Sequence, residues 1–287
     1  MKPMIRSIAS LWMVAVAVGC VRVESPSPLP THAVFCVLSP GDSLLVATMS
    51  RVVPVGERYR LDSVVSISNA VVSISGNSRT VRLAYNATKR RYEAANDRFV
   101  LPRETYRLRA QLPNELPLEA SCRVPAECPE MKVKGEKNGE DFGFNVNWLD
   151  IPGEENRYFL TASVDGVGLI QSPNGTIGIQ NLLVSWGTGF GSRIFTTDKN
   201  KDGQRLFSPE GVVRKAFPSR DSLVLRVVLE NMNPDYFDYS QTAPSQRTSD
   251  DGLIGRLKEP VLVPSNVENG LGIFGAYTRR TVRVRVN

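Results

Sequence analysis

Oxygen-bearing side chains recur at every second position in one short segment of the chain. They alternate with two lysines and precede Gly203; the three are Asp198, Asn200 and Asp202. A calcium loop uses this pattern, because alternate side chains converge when the chain curls and glycine permits the sharp turn. A complete loop of this kind ends on a bidentate glutamate at position twelve, where this chain has Pro209. The segment is therefore a calcium candidate, with a plain Asp/Asn/Gly hairpin turn as the alternative.

The chain contains few side chains suited to acid–base or nucleophilic catalysis. A serine or cysteine nucleophile needs a histidine base, and the chain holds one histidine, His32, in a segment that we interpret as a linker. A carboxylate pair for glycoside cleavage is defined by spatial separation, and Asp150, Glu154 and Glu155 are the first place to look for one. The alternative is a strand-to-turn transition with solvated acids. We expect no enzymatic activity, and a glycan-acting enzyme is the least favoured function.

The N-terminus has the pattern of a lipoprotein leader. Lys2 and Arg6 precede an uncharged apolar run, residues 8–18, which is shorter than the roughly 20 residues that a membrane-spanning helix needs. Slender residues come immediately before a cysteine, in the order Ala17, Val18, Gly19, Cys20. We therefore predict that residues 1–19 are a cleaved signal peptide and that Cys20 carries lipid, which holds the protein on a membrane without a spanning helix. The alternative is an ordinary signal peptide with an incidental cysteine.

The other three cysteines are expected to have structural roles. Cys122 and Cys128 bracket five residues and form a candidate disulfide if the compartment is oxidising, while Cys36 is predicted to be a buried apolar residue. A zinc site is not expected, because zinc needs four nitrogen or sulfur ligands at characteristic spacings and the chain has a single histidine.

The charge balance is mildly basic. The formal net charge is +6, and it falls to +4 when Lys2 and Arg6 leave with the leader. A nucleic-acid-binding surface would need clustered basic residues with aromatic or motif support, so we expect no nucleic-acid partner. The arginine-rich segment 278–287 alternates arginine with valine, a pattern typical of a half-buried strand with a basic solvent face.

The pattern of the chain after Cys20 predicts an all-β protein. A spacer rich in proline and serine, residues 20–32, precedes short apolar alternations such as those in 70–75, 81–85 and 106–112. These alternations predict an N-terminal immunoglobulin-like sandwich over 33–129. A polar stretch near residue 132 marks the boundary to a second β-rich domain, residues 130–287, which we expect to be a sandwich or barrel-like, with a short helix beginning at Pro234.

Several segments come in the order seen in a known family. They are the Cys20 leader, Ser39–Ser43, Pro54–Gly56, the strand with Ala70, Val72 and Ile74, Trp148–Tyr158, Asp198–Gly203, Glu259–Val261 and Ser265–Gly275. In this order the chain resembles the Bacteroidota lipoproteins that carry domain of unknown function 4249. This chain has Asn269 and Arg103 at two positions where members of the family commonly have glycine. The resemblance implies lipid anchoring at the outer membrane of a Gram-negative cell, on either face, often beside a TonB-dependent transporter, and it brings no established activity.

The glycine-rich segment near the C-terminus is a candidate partner-docking segment, comprising Asn266, Gly270, Gly272 and Phe274. Glycines allow positive φ or close approach of a second strand, and the apolar side chains supply contact area. The alternative is a bulged strand that enters the core of the second domain.

The sequence as a whole leaves three function classes: an accessory or binding lipoprotein, a structural or adhesive surface protein, and a glycan-acting enzyme.

Overall fold

The computed structural model describes residues 32–52, 66–139, 141–165, 168–171, 177–180, 183–186, 193–214, 223–249 and 263–286. The predicted signal peptide, Cys20 and almost all of the spacer lie outside these ranges. Within them, strands dominate and a single helix occurs, so the predicted all-β class is confirmed.

The strands before residue 130 follow the predicted alternations. They are β1 (His32–Leu38), β2 (Leu44–Arg51), β3 (Val71–Gly76), β4 (Arg79–Asn86), β5 (Arg91–Ala95), β6 (Thr105–Gln111) and β7 (Leu118–Arg123). In β6, Tyr106, Leu108 and Ala110 are buried while Arg107 and Arg109 are exposed. This two-residue period is that of a strand with one face in the core.

The remaining elements include the helix, α1 (Pro234–Ser249). The strands before it are β8 (Met131–Asn138), β9 (Asp141–Leu149), β10 (Arg157–Asp165), β11 (Gly168–Gln171), β12 (Ile177–Gln180), β13 (Leu183–Trp186), β14 (Arg193–Thr197), β15 (Arg205–Phe207), β16 (Gly211–Arg214) and β17 (Leu223–Met232). The last strand is β18 (Leu271–Val286). The polar stretch at the predicted domain boundary forms the hairpin β8–β9.

Eleven strands form one sheet in the order β14-β10-β17-β18-β1-β2-β5-β4-β3-β6-β7. The strand β4 pairs with β5 through residues 84–86 and with β3 through 79–83, so this continuous sheet supplies both layers of the N-terminal sandwich. A second sheet has the order β13-β16-β9-β15, with β8 on the other side of β9. The strands β11 and β12 form a separate hairpin.

Two buried clusters form the interior. The first core is built from β1–β7 and the start of β18, and its largest side chains are Tyr92, Tyr106, Phe99 and Phe274. The second core lies between the five-stranded sheet and β10 and β17, and its largest side chains are Trp148, Tyr158 and Phe144. The strand β18 serves both cores, because its first residues pair in parallel with β1 and its later ones pair with β17.

Candidate functional site

Three carboxylates meet where β9 and β14 end. Asp150 directly follows β9, Asp198 directly follows β14, and Asp202 lies in the turn before β15. Their ligand oxygen atoms all lie within 4.8 Å of one another. Asp150 and Asp198 are only 2% and 4% exposed, and Asp202 is exposed, so the cluster opens to solvent on one side.

Neutral donors hold these carboxylates in place. The Tyr158 hydroxyl donates to Asp150 Oδ1 at 2.8 Å, and the Gly203 amide donates to Asp150 Oδ2 at 2.9 Å. Backbone amides of Asn156 and Gly153 donate to the other two aspartates, at 2.9 and 2.8 Å. None of the ion pairs found in the described ranges involves the three acids. Each bonded oxygen keeps a second lone pair that can bind a cation.

Burial sets the electrostatics of the cluster. It raises the pKa of Asp150 above the usual value, the hydrogen bonds from Tyr158 and Gly203 oppose the rise, and the nearby Asp198 charge adds to it. Burial, followed by the hydrogen bond to Asp150, also raises the pKa of the Tyr158 hydroxyl, which therefore remains a donor. A divalent cation would relieve the mutual repulsion of the three carboxylates, and oxygen ligands of this kind suit Ca²⁺.

The fold adds a residue from outside the loop to the calcium candidate. Asp150 is a third carboxylate beside Asp198 and Asp202, the acids that the spacing predicted. Asn200 is exposed and takes φ of 63° in the turn. One sequence signal points to Asp150: this acid immediately follows β9, a strand with the buried Trp148.

We expect Ca²⁺ to raise the melting temperature of the protein. At ten times Kd, a ligand that binds only the folded state adds about 1.4 kcal/mol, or a few degrees for a chain of this size. Asp202→Asn should lose this shift and be at least as stable as wild type without Ca²⁺, because it removes one repelling charge. Asp97→Asn, in a remote exposed turn, is the matched control. A wild-type melting temperature that millimolar Ca²⁺ leaves unchanged, or a shift equally large in Asp202→Asn, would exclude the site.

The candidate disulfide is not formed in the structure. Cys122 and Cys128 are both free and buried. They lie in different cores, Cys122 in the first and Cys128 in the second, because the chain passes from one core to the other between them. The Cys122 thiol lies 3.7 Å from the Gly275 carbonyl, and the Cys128 thiol donates to the Leu229 carbonyl at 3.2 Å. Burial raises the pKa of Cys128 to about 12, so this thiol is unreactive at neutral pH.

The four residues of the candidate docking segment are partly or fully buried. Phe274 is 0% exposed and belongs to the first core, not to the second as the alternative expected. The Asn266 side chain bonds the Phe274 backbone at both its amide and its carbonyl, each at 2.9 Å. Gly270 and Gly272 lie directly against the backbone of β1. The residues are therefore occupied in joining β18 to β1.

Glu154, Glu155 and His32, which were considered for catalysis, are engaged in structural contacts. Glu154 pairs with Arg103 at 3.0 Å, and Glu155 lies 3.3 Å from the Arg157 guanidinium. His32 is part of β1 rather than of a linker, and its Nδ1 lies 3.0 Å from a Glu115 carboxylate oxygen.

A groove lined by aromatic side chains lies between α1 and the long sheet. Phe159 on β10 and Phe195 on β14 are register partners with ring centroids 4.5 Å apart. The other aromatic rings along the groove come from β1 and α1 and are Phe35, Tyr236 and Tyr239. The cavity measures about 630 Å³, a size typical of sites for small molecules.

The start of α1 places the helix over this face of the sheet. Asn233, just before the helix, accepts the Ala276 amide on β18 at 2.8 Å, and Pro234 opens the first turn. Phe237 then packs against Phe195, with centroids 5.4 Å apart. Arg157 lies over the Phe237 ring and pairs with Asp238 at 2.9 Å.

Sequence reasoning did not identify the groove. On β10 its residues alternate with buried ones, and on β14 Arg193 and Phe195 flank the partly buried Ile194, so the pattern classifies them as solvent-facing. The available signal was the aromatic character of these outward positions, since exposed aromatic clusters mark binding sites. In the part of the chain that the structure describes, no helix has both the length and the apolar character needed to cross a bilayer.

A model of the family described as domain of unknown function DUF4249 matches residues 22–283 of the chain. No curated protein matches it. Among solved structures, a candidate carbohydrate binding protein from Bacteroides uniformis ATCC 8492 aligns at 10% identity over 90% of this chain and 100% of that chain, with a TM-score of 0.24. The collagen adhesin of S. aureus aligns at 9% identity over 88% and 95%, with a TM-score of 0.23. At such TM-scores neither alignment carries an argument.

Proposed function

The chain belongs to the DUF4249 family, and from that premise we propose that it is a lipoprotein of the outer membrane of a Bacteroidota cell. In this proposal it is tethered through Cys20 and acts as a non-catalytic binding or accessory component of a TonB-dependent transporter.

The leader supports the tether. Its apolar run is too short to span a bilayer, and Cys20 follows slender residues. Acyl chains on one cysteine contribute about 0.8 kcal/mol for each buried methylene, so a multiply acylated Cys20 anchors a soluble β-rich body.

The aromatic groove is the observation that carries the binding role. It is an open site with apolar walls and few polar groups, which suits reversible capture of a ligand. By contrast, Glu154 and Glu155 are held by arginines, and the single histidine contacts Glu115. The arrangement favours binding over acid–base catalysis.

Replacing Cys20 tests the tether. In a cell grown with labelled palmitate, we expect wild-type protein to carry the label and to fractionate with the outer membrane. Cys20→Ser should carry no label and leave the membrane fraction, because the acylated thiol is lost. Ser25→Ala, in the spacer, is the matched control and should behave as wild type. A labelled, membrane-bound Cys20→Ser protein would refute the anchor.

Purification from native outer membranes tests the accessory role. A β-barrel transporter recovered in equal amount with the lipoprotein supports it. Recovery of the lipoprotein alone would contradict this role and favour a structural or adhesive surface protein. Release of sugars from cell-wall or dietary glycans by the purified protein would contradict the non-catalytic part of the proposal.

A further inference from the structure

The chemistry of the aromatic groove narrows the class of ligand. The ligand class assigned to the groove rests on the proposed binding function.

The walls of the groove are apolar because of strand alternation. Along β10, Tyr158, Leu160 and Ala162 point into the second core, which leaves Phe159 and Thr161 on the opposite face. Helix α1 covers part of that face without filling it. Phe35, at the far end of the groove, is 38% exposed although its ring centroid is 5.7 Å from that of Tyr239.

One positive charge stands at the groove. Arg193 is the register partner of Thr161, and of the described residues that line the cavity it alone is charged. None of the ion pairs found among the described residues uses Arg193. The neighbouring Arg157 is different, because Asp238 and Glu155 neutralise it. The groove therefore combines an apolar interior with one uncompensated guanidinium, which matches a carboxylate.

The ring geometry favours an apolar body over a sugar chain. The planes of Phe35 and Tyr239 are tilted by 47°, and those of Phe159 and Phe195 by 31°. The two rings of each pair pack against each other, and neither pair forms the flat platform on which successive sugars stack. Thr161 and Ser240 are the hydroxyl side chains other than tyrosine that line the cavity, fewer than a polyhydroxylated ligand would require.

From these observations we propose that the groove binds a small organic monocarboxylate with an apolar or aromatic body. Arg193 holds the carboxylate, Thr161 lies beside it, and the rings of Phe35, Phe159 and Phe195 enclose the body. The ligand is thus an amphiphilic anion rather than a glycan.

Calorimetric titration with 2-naphthoate and its uncharged analogue 2-naphthamide tests this assignment. The Cys20→Ser chain is used, so the result does not depend on anchoring or on a transporter. We expect naphthoate to bind at least about tenfold more tightly than naphthamide, since a hydrogen bond to a charged group is worth roughly that factor or more.

Two variants and a control locate the site. Arg193→Gln should weaken naphthoate about tenfold and leave naphthamide unchanged. Phe35→Ala removes a partly exposed ring and should weaken both probes. Arg214→Gln, an exposed arginine on the second sheet, should change neither. Absence of naphthoate binding, equal affinity for both probes, or an unchanged Arg193→Gln affinity would overturn the assignment. The proposed lipoprotein role would survive such a result if the Cys20 and purification experiments succeed.

Discussion

Replacing Gly272 with alanine is expected to destabilise the protein by more than about 4 kcal/mol, among the largest effects of any single substitution. Gly272 is the register partner of Val34 in the parallel pairing of β18 with β1. Its φ is 121°, a conformation that side-chain-bearing residues rarely adopt. A Cβ at this position would overlap the Val34 carbonyl oxygen and would also meet the Val34 backbone nitrogen at 3.0 Å. Backbone atoms within a sheet cannot move aside cheaply, so the two strands would have to separate.

Substitutions at two control glycines distinguish backbone strain from the close strand contact as causes of the lost stability. Gly41→Ala should change stability by less than about 0.5 kcal/mol, because its Cβ would meet only Ser39 Oγ at an ordinary 3.8 Å. Gly139→Ala carries the strain of a φ of 62° but meets nothing within 4 Å, so it should cost about 1–2 kcal/mol. Urea unfolding followed by tryptophan fluorescence measures all three. A Gly272→Ala protein no less stable than Gly139→Ala would show that the close strand contact is unimportant.

The position of Gly272 explains why its effect should be large. The pairing of β1 with β18 joins the beginning and the end of the described chain, and it places Phe274 beside Cys36 in the first core. Loss of this pairing would expose Phe274 and the rest of the first core along that edge. A stability change at Gly272 therefore reports on the β18–β1 pairing that joins the two parts of the eleven-stranded sheet, not on a local turn.

The strands themselves were predictable, whereas the partners of the strands were not. Alternation in segments such as 106–112 and 70–75 predicts β6 and β3, because side chains on a strand point to opposite faces in turn. The pairing of β18 with β1 brings together residues that are more than 200 positions apart in sequence. No periodic pattern within either segment encodes such a partner, so the sequence predicts a docking segment or a bulged strand in the second core and not the pairing with β1.

The same distinction applies to the two candidate sites. Spacing within one loop was enough to select Asp198 and Asp202, because a tight turn brings alternate side chains together. Asp150 joins them only through the arrangement of β9 and β14 in different sheets. The aromatic groove could not be read from strand periodicity, since the pattern does not say that α1 returns over the outward face of β10 and β14.

The pH dependence of stability should show a second large effect, centred on Glu230. This residue lies on β17 opposite Arg279 on β18. Arg279 is already engaged by Asp42, with a nitrogen–oxygen distance of 3.0 Å, and the Tyr277 hydroxyl lies 3.3 Å from the same carboxylate. Burial raises the pKa of Glu230 to about 7; Arg279 opposes the rise, and the Asp42 charge adds to it.

The sign of the effect follows from proton binding. The pKa of Glu230 is higher in the folded protein than the 4.5 of a solvated glutamate, so between these values the folded state holds a proton that the unfolded state has lost. The contribution to stability is fully present below pH 4.5 and is lost as the pH rises through about 7. The full span is up to about 3 kcal/mol, at about 1.4 kcal/mol for each pKa unit.

Glu230→Gln keeps the shape of the protonated side chain and removes its titration. We expect the variant to match wild type near pH 4.5 and to be more stable by up to about 3 kcal/mol at pH 8, measured by urea unfolding across this range. Glu93→Gln is a control of opposite sign, because the hydrogen bond from Arg91 lowers the pKa of Glu93. That lowered pKa stabilises the fold at neutral pH and the benefit disappears on acidification, so Glu93→Gln should lose stability at neutral pH. The prediction fails if the stability of wild type and that of Glu230→Gln change in parallel from pH 4.5 to 8. In that case Glu230 ionises in the folded protein as it does in water, and its position beside Asp42 and Arg279 does not raise its pKa.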